Sequence, residues 1–291
     1  MEQKTTKAVI YGVNDRPPLQ ETLFAAVQHL LAIFVAIITP PLIIAKALKM
    51  DLATTGFLVS MALFVSGVAT FIQCRKLGPV GCGLLCVQGT SFSFIGPIIA
   101  IGQAGGLPLI FGACIAAAPV EMAVSYSFKY LRRIITPLVS GIVVMLIGLS
   151  LVRAGVMACG GGDPTAADFG SLRNLIVAAT VLASVIALNC SNNKYVRMSS
   201  IILGVVIGYV LALCMGMVDF GSFNGSNVES FYVPVPFKLG IDFNVSSTIA
   251  VALVYLVTAI EATGDVTANS MISGRPVEGE EYVKRVSGGV L

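Results

Sequence analysis

Gly78-Pro79-Val80-Gly81-Cys82-Gly83-Leu84-Leu85-Cys86-Val87-Gln88-Gly89-Thr90-Ser91-Phe92-Ser93-Phe94-Ile95-Gly96-Pro97 interrupts a hydrophobic run where a continuous helix would otherwise be expected. Gly78, Gly81, Gly83, Gly89, Pro97 and the polar Gln88, Thr90, Ser91 and Ser93 are too heavy a load for a helix facing lipid. Irregular backbone at membrane depth is tolerated only where protein or a cavity satisfies its hydrogen bonds. The segment 84–103 therefore reads as a short extended stretch followed by a half-helix that begins near Ser91. A helix start at that depth presents free N–H groups and the positive end of its dipole.

The surrounding chain makes membrane depth the relevant setting. Of 291 residues, 56% are hydrophobic and 11% charged, and mean hydropathy is +0.90. Soluble domains carry roughly 25% charged residues to face water, so a soluble globule is excluded. With about 20 apolar residues per span, eight spans are expected: 20–45, 56–74, 84–103, 106–128, 134–156, 173–190, 198–217 and 245–270. The first contains Pro40-Pro41. Thirteen of the eighteen Lys and Arg residues then fall on one side when the N-terminus is inside, against Lys46, Lys49, Arg153, Arg173 and Lys238 on the other. Cytoplasmic loops hold the positive excess, which places both the N-terminus and residue 291 inside a plasma (inner) membrane.

Other classes are removed by the same inventory. A formal net charge of +3, with no basic run beyond Lys129, Arg132 and Arg133, does not suit a nucleic-acid binder. One histidine excludes multi-histidine metal sites. The seven cysteines form no CxxC pair and read as small apolar packing residues. Residues 1–18 read as a cytoplasmic tail rather than a signal peptide, because the apolar run after Pro17-Pro18 is too long. No cofactor is implied. An intramembrane enzyme is disfavoured for want of a nucleophile–base pairing.

Ionisable residues within spans cost about 2.5–3.5 kcal/mol each on insertion scales and are functional candidates by default. Glu261 and Asp265 stand at i, i+4 in Glu261-Ala262-Thr263-Gly264-Asp265 and share one helix face. Two acids stacked in a low-dielectric site repel when both are charged, which is the chemistry a proton-coupled carrier needs. Glu121, midway through the fourth span, reads equally as an interhelical hydrogen-bonding group or as part of a transport path. His29 reads either as a hydrogen-bonded core residue or, with Gln28 beside it, as part of a ligand or proton network. Discontinuous helices are the usual pointer to a secondary transporter's substrate site. Gln88, Thr90 and Ser91, facing Glu261 across a cavity, would suit a small planar ligand with donors and acceptors.

At these residues the chain closely resembles the bacterial xanthine/uric acid:proton symporters of the nucleobase–ascorbate transporter family. The likeness rests on Gln28-His29-Leu30-Leu31-Ala32-Ile33-Phe34-Val35, Gln88-Gly89-Thr90-Ser91-Phe92-Ser93-Phe94, Leu131-Arg132-Arg133-Ile134-Ile135-Thr136-Pro137-Leu138-Val139-Ser140-Gly141, Gly216-Met217-Val218-Asp219-Phe220 and Glu261-Ala262-Thr263-Gly264-Asp265. Arg275-Pro276-Val277-Glu278-Gly279-Glu280-Glu281-Tyr282 and Gly288-Gly289-Val290-Leu291 extend it to almost the whole chain. The resemblance implies an all-α polytopic membrane protein with a fourteen-span core/gate fold in two inverted seven-span repeats. Here it implies a first repeat plus span 8: core spans 1–4 over 19–128, gate spans 5–7 over 129–217, an outer segment 218–244, and span 8 with the start of a cytoplasmic loop over 245–291. It further implies that a purine base binds at Glu261, Ser91, Gln88, Thr90, Phe92 and His29. His29, Asp265, Glu121 and Gln28 would form the proton-coupling polar network, and a homodimer through the gate is an expectation of the same kind.

The family's ninth and tenth spans lie beyond Leu291, so an N-terminal portion unable to transport alone is the expectation. The leading function is a proton-coupled xanthine/uric acid symporter. The alternatives are a uracil or other nucleobase permease of the same fold, and a non-transporting membrane subunit or binding protein. An anion cargo is disfavoured because the Glu261 carboxylate would repel it.

Overall fold

In hydrocarbon a helix is the one open segment that satisfies its own backbone hydrogen bonds, and helices carry the described chain. The computed structural model describes residues 11–131, 137–162, 167–193, 196–197, 199–218, 234–235 and 238–291. Lys4, Lys7, Arg132, Arg133, Asp163, Pro164, Lys194 and most of the expected outer segment 218–244 lie outside the described residues. The helices are α1 (Leu19–Ala47), α2 (Leu52–Arg75), α3 (Ile95–Leu131), α4 (Pro137–Cys159), α5 (Leu172–Asn189), α6 (Ser200–Cys214), α7 (Val245–Ile272) and α8 (Gly279–Val290). Among the described residues there is no strand, only an isolated bridge between Leu77 and Val80. Among the described residues, five helices are long and apolar enough to cross a membrane. Large apolar side chains such as Leu23, Phe64, Leu182 and Leu253 stand exposed on them, a surface suited to lipid rather than water. The chain is an all-helical, multi-pass membrane protein.

The interrupted third segment takes the form its glycines demand. Residues 85–91 are non-helical, and Ser91 sits in extended backbone (φ −88°, ψ 132°) ahead of a 3-10 turn at Phe92–Phe94. Its Oγ accepts from the Ser93 N–H at 3.3 Å, an N-cap that satisfies one donor of the helix start. α3 then runs for 37 residues, about 55 Å if straight, against a hydrocarbon core of about 30 Å. It does not run straight. Gly105 (φ −152°, ψ 15°) and Gly106 (φ 70°, ψ −165°) leave the helical region, and the positive φ of Gly106 is one that only glycine adopts freely. Ile98 and Ile101 from before the break share a core with Leu109, Ile110, Ala113 and Ala117 from after it, so the chain folds back at the glycines. The break falls between the third and fourth expected spans, 84–103 and 106–128, so α3 is two helical arms joined at the glycines. Its first arm, 95–104, is about 15 Å long, half the membrane's hydrocarbon thickness, and begins beside Ser91.

Two cores hold this hairpin. In one, its long arm packs on α7 around the fully buried Val251. In the other, Cys82, Leu84 and Cys86 of the irregular stretch pack with Phe128, Ala259, Val266, Val286 and Val290. Residues 279–290, expected to start a loop, form α8 instead and lie against α3 and α7. Arg285 is buried there. It donates to Ser270 Oγ (3.3 Å), the Pro276 carbonyl (3.0 Å) and Glu281 (2.6 Å). Ser125 and Ser287 exchange hydroxyl-to-carbonyl bonds of 2.6 and 2.8 Å. Apart from these, α5 pairs with α6, where Gly204 and Gly208 admit Val185 and Val181, the close approach that small residues allow.

Asp51 starts α2 from the polar end, its carboxylate accepting from the Thr54 N–H at 3.1 Å. Hydrogen bonding by Thr54 holds its pKa below the ordinary carboxylate value of about 3.9. A folded value below the unfolded one means that the charge-dependent part of the cap's stabilisation is complete above the unfolded pKa and is lost as pH falls through the lowered folded pKa. Asp51→Ala is expected to lower the thermal midpoint at pH 7 and to lower it less once the carboxyl is protonated, because the neutral carboxyl keeps only its carbonyl acceptor; Asp51→Asn keeps that neutral cap at every pH. Thermal midpoints of the three proteins, followed from pH 7 down through the titration of the carboxyl, check this.

Candidate functional site

Tyr255, Thr258, Glu261 and Asp265 recur at three- and four-residue spacing along α7, which brings them to one face. That face closes a cavity of about 610 Å³ whose other walls come from α1, α2, Val80, the stretch 86–91, Phe94, Glu121 of α3 and the end of α8 at Gly289, Val290 and Leu291. Small-molecule sites typically measure roughly 300–1,000 Å³. Glu121, Glu261 and Asp265 all line it, and no Lys or Arg is among its described lining residues. A cavity with three carboxyls and no cation favours ligands that bring N–H donors or a proton, and repels anions.

The broken segment and the acid meet directly. Ser91 Oγ donates to Glu261 Oε2 at 3.3 Å, so the residue that caps the half-helix also touches the carboxylate across the cavity. Thr258 Oγ donates to Glu121 Oε1 at 3.2 Å, holding the acid of the α3 long arm against α7. Tyr255 sets one end of the wall, its OH donating to the Cys114 carbonyl at 3.4 Å and its ring meeting Phe94 edge-on at 5.3 Å between centroids. Such a T-shaped pair fixes both rings and leaves an apolar surface beside the polar groups.

Gln88 lines the cavity while α2 holds its backbone. Its N–H donates to Thr70 Oγ1 at 2.9 Å and its carbonyl accepts from Ser66 Oγ. Thr90 lines it too, with its hydroxyl turned to α1. Asp265 is exposed on the wall one turn beyond Glu261.

Three expected residues stand elsewhere. Neighbours on a helix point about 100° apart, so Gln28 and His29 do not share a direction. Gln28 is buried and its amide donates to Ser199 Oγ at 3.4 Å, tying α1 to the start of α6. His29 is exposed and lies off the cavity wall. Phe92 opens the 3-10 turn off the wall, whereas Phe94, two residues on, lines it.

The sequence reading passed over Tyr255, Thr258, Phe94 and Gln73. The signal for the first two was their spacing of six and three residues before Glu261. Gln73, buried at the end of α2, accepts from the Cys82 N–H at 2.8 Å and donates to the Gly289 carbonyl at 2.6 Å. It joins α2, the irregular stretch and α8 at the cavity wall.

Comparison with known proteins bears on the same residues. The family model Xan_ur_permease, described as Permease family, matches residues 20–290. The chain is 45% identical to xanthine permease XanP of Escherichia coli K12 over 300 residues, covering 99% of this chain and 65% of that protein. It is 42% identical to xanthine permease XanQ of the same organism, covering 97% and 63%. To the uric acid permease PucJ of Bacillus subtilis 168 it is 33% identical, covering 89% and 58%. The chain thus spans just under two thirds of the length of the first two relatives. A match across nearly all described helices, together with an apolar helical fold around a polar cavity, places this chain in the Permease family of xanthine and uric acid permease relatives.

Proposed function

We propose that this chain forms the purine-binding part of a proton-coupled nucleobase carrier, with xanthine or uric acid as cargo. The observation that carries the reading is the Ser91–Glu261 contact, which joins a helix start to a carboxylate across a cavity of small-molecule size. A purine dione presents ring N–H donors beside carbonyl acceptors. Glu261 would accept from the N–H groups, and the N–H groups at the start of the half-helix would donate to the carbonyls. Ser91, Gln88 and Thr90 would set the base's orientation, with Phe92 at the helix start. Glu121 and Asp265, on the same cavity, would carry the proton, with His29 and Gln28 as polar support from α1.

Movement of a core (19–128 and 245–270) against a gate (129–217) would expose the site alternately to each side. The separate pairing of α5 with α6, away from the cavity, supports that division. The distribution of Lys and Arg supports a cytoplasmic N-terminus in the plasma membrane.

Uptake of labelled xanthine, uric acid and uracil tests the proposal. Cells lacking their own permeases would express this chain alone and the chain joined to the remainder of XanP. The joined protein is expected to accumulate xanthine or uric acid and to lose that accumulation when a protonophore collapses the gradient. Uptake insensitive to the protonophore removes proton coupling. Uptake of uracil alone, or of no base, overturns the purine assignment.

A further inference from the structure

Proline lacks an N–H, so inside a helix it leaves the carbonyl four residues earlier without its donor. Pro40 and Pro41 both lie inside α1, which deprives the Ala36 and Ile37 carbonyls on adjacent positions. Unpaired carbonyls in a membrane interior cost free energy until another donor reaches them. Here the donor comes from a different span. Thr90 Oγ donates to the Ile37 carbonyl at 2.9 Å and lies 3.3 Å from the Ala36 carbonyl. Gly89 permits the approach, since a Cβ there would stand 3.3 Å from Ile37 Cγ1 and 3.6 Å from Ile33 Cδ1. The next residue is Ser91, which caps the half-helix and bonds Glu261.

We infer that Thr90 is a positioning residue: its hydroxyl clasps the extended stretch to the two carbonyls that Pro40-Pro41 leave open and so sets where Ser91 meets Glu261. A hydroxyl has a single proton to donate, and in Thr90 that proton goes to α1. The pair of prolines is therefore an anchor point for the broken span rather than only a flaw in α1. The affinity consequence rests on the purine reading above; the clasp itself does not.

The test is a mutant cycle read by thermal midpoint on the 291-residue chain purified in detergent and by the dissociation constant for labelled xanthine on the chain joined to the remainder of XanP. Thr90→Val keeps shape and removes the hydroxyl. It is expected to lower the midpoint by about 2–4 °C and to weaken xanthine binding by up to about tenfold, the worth of one hydrogen bond. Thr90→Ser keeps the donor and is expected to match the parent in both. Pro40→Ala with Pro41→Ala restores the two intrahelical N–H donors, so adding Thr90→Val in that background should cost no further stability.

An equal loss from Thr90→Val with and without the prolines overturns the clasp. A loss in Thr90→Ser as large as in Thr90→Val does so too, and decides the matter where the triple variant does not fold. A clasp confirmed by midpoint with unchanged xanthine affinity removes its positioning role. Failure of the joined parent protein to bind xanthine counts against the purine reading and leaves the midpoint cycle to judge the clasp.

Discussion

Glu261→Gln is expected to lower affinity for xanthine by about 100-fold or more while leaving the fold intact. The carboxylate reaches the cavity from α7 and already accepts from Ser91 at 3.3 Å. Hydrogen bonds to a charged acceptor contribute about 1.5–3 kcal/mol each. A base that offers two N–H donors would therefore lose roughly 3–6 kcal/mol, or about 10²–10⁴ in affinity, when the charge is removed. Glutamine has the same length, and its carbonyl can still accept from Ser91, so the contact across the cavity survives. Its NH₂, however, would confront the ligand's own N–H groups. Glu261→Asp keeps the charge but withdraws it by one methylene, and an intermediate loss is expected. Binding of labelled xanthine to the protein joined to the remainder of XanP, with thermal melts as a fold control, reads both variants. Unchanged affinity in Glu261→Gln, with the melt preserved, would take Glu261 out of the site.

The sequence and the structure agree best where residues contradict their surroundings. Glycine and hydroxyl side chains inside an apolar run have no reason to face lipid, so the break before Ser91 was legible, and the cap geometry at Ser91 follows from it. Glu261 was legible for the same reason, since a carboxylate in a span needs a partner or a cavity. Residues that blend with an apolar span were not legible. Tyr255 and Thr258 carry one hydroxyl each and also occur on lipid-facing helices, and only the position of Glu261 relative to them reveals the stripe. Phe94 differs from Phe92 only in direction, which the 3-10 turn sets and hydropathy does not. Gln28 and His29 show the opposite limit. Two adjacent polar residues suggest one wet patch, yet the helix sends one inward to Ser199 and the other outward. The break in α3 was legible too, because Gly105-Gly106 falls between the expected spans 84–103 and 106–128. The helix α8 was hidden because its charges suggest a loop, while its buried face, with Arg285, Val286 and Val290, becomes visible only against α3 and α7.

Gln73→Leu is expected to destabilise the protein by about 2–6 kcal/mol, the largest stability loss anticipated for any single side chain in this region. Position 73 ends α2 next to Arg75, where a glutamine would ordinarily face the interface. Here the side chain is 8% exposed. Its amide uses both ends on partners far apart in sequence, the Cys82 N–H at 2.8 Å and the Gly289 carbonyl at 2.6 Å. The main chain closes the same corner, with the Gly83 N–H donating to the Gln73 carbonyl at 2.8 Å and the Gly81 N–H to the Gly288 carbonyl at 2.6 Å. Leucine fills a similar volume but leaves Cys82 N–H and the Gly289 carbonyl unpaired, each at a cost of about 1–3 kcal/mol. Gln73→Glu separates the two halves of the bond pair, because an ionised carboxylate can accept from Cys82 N–H and cannot donate to Gly289. It is expected to fall between the parent and Gln73→Leu. The loss should also appear as faster hydrogen exchange at Cys82, whose amide depends on the Gln73 side chain directly, while amides in α5 and α6 stay protected. If Gln73→Leu melts with the parent, the amide is not the tie between α2, the irregular stretch and α8. Uniformly faster exchange would instead mean that the effect is global and that the corner has no local stability of its own.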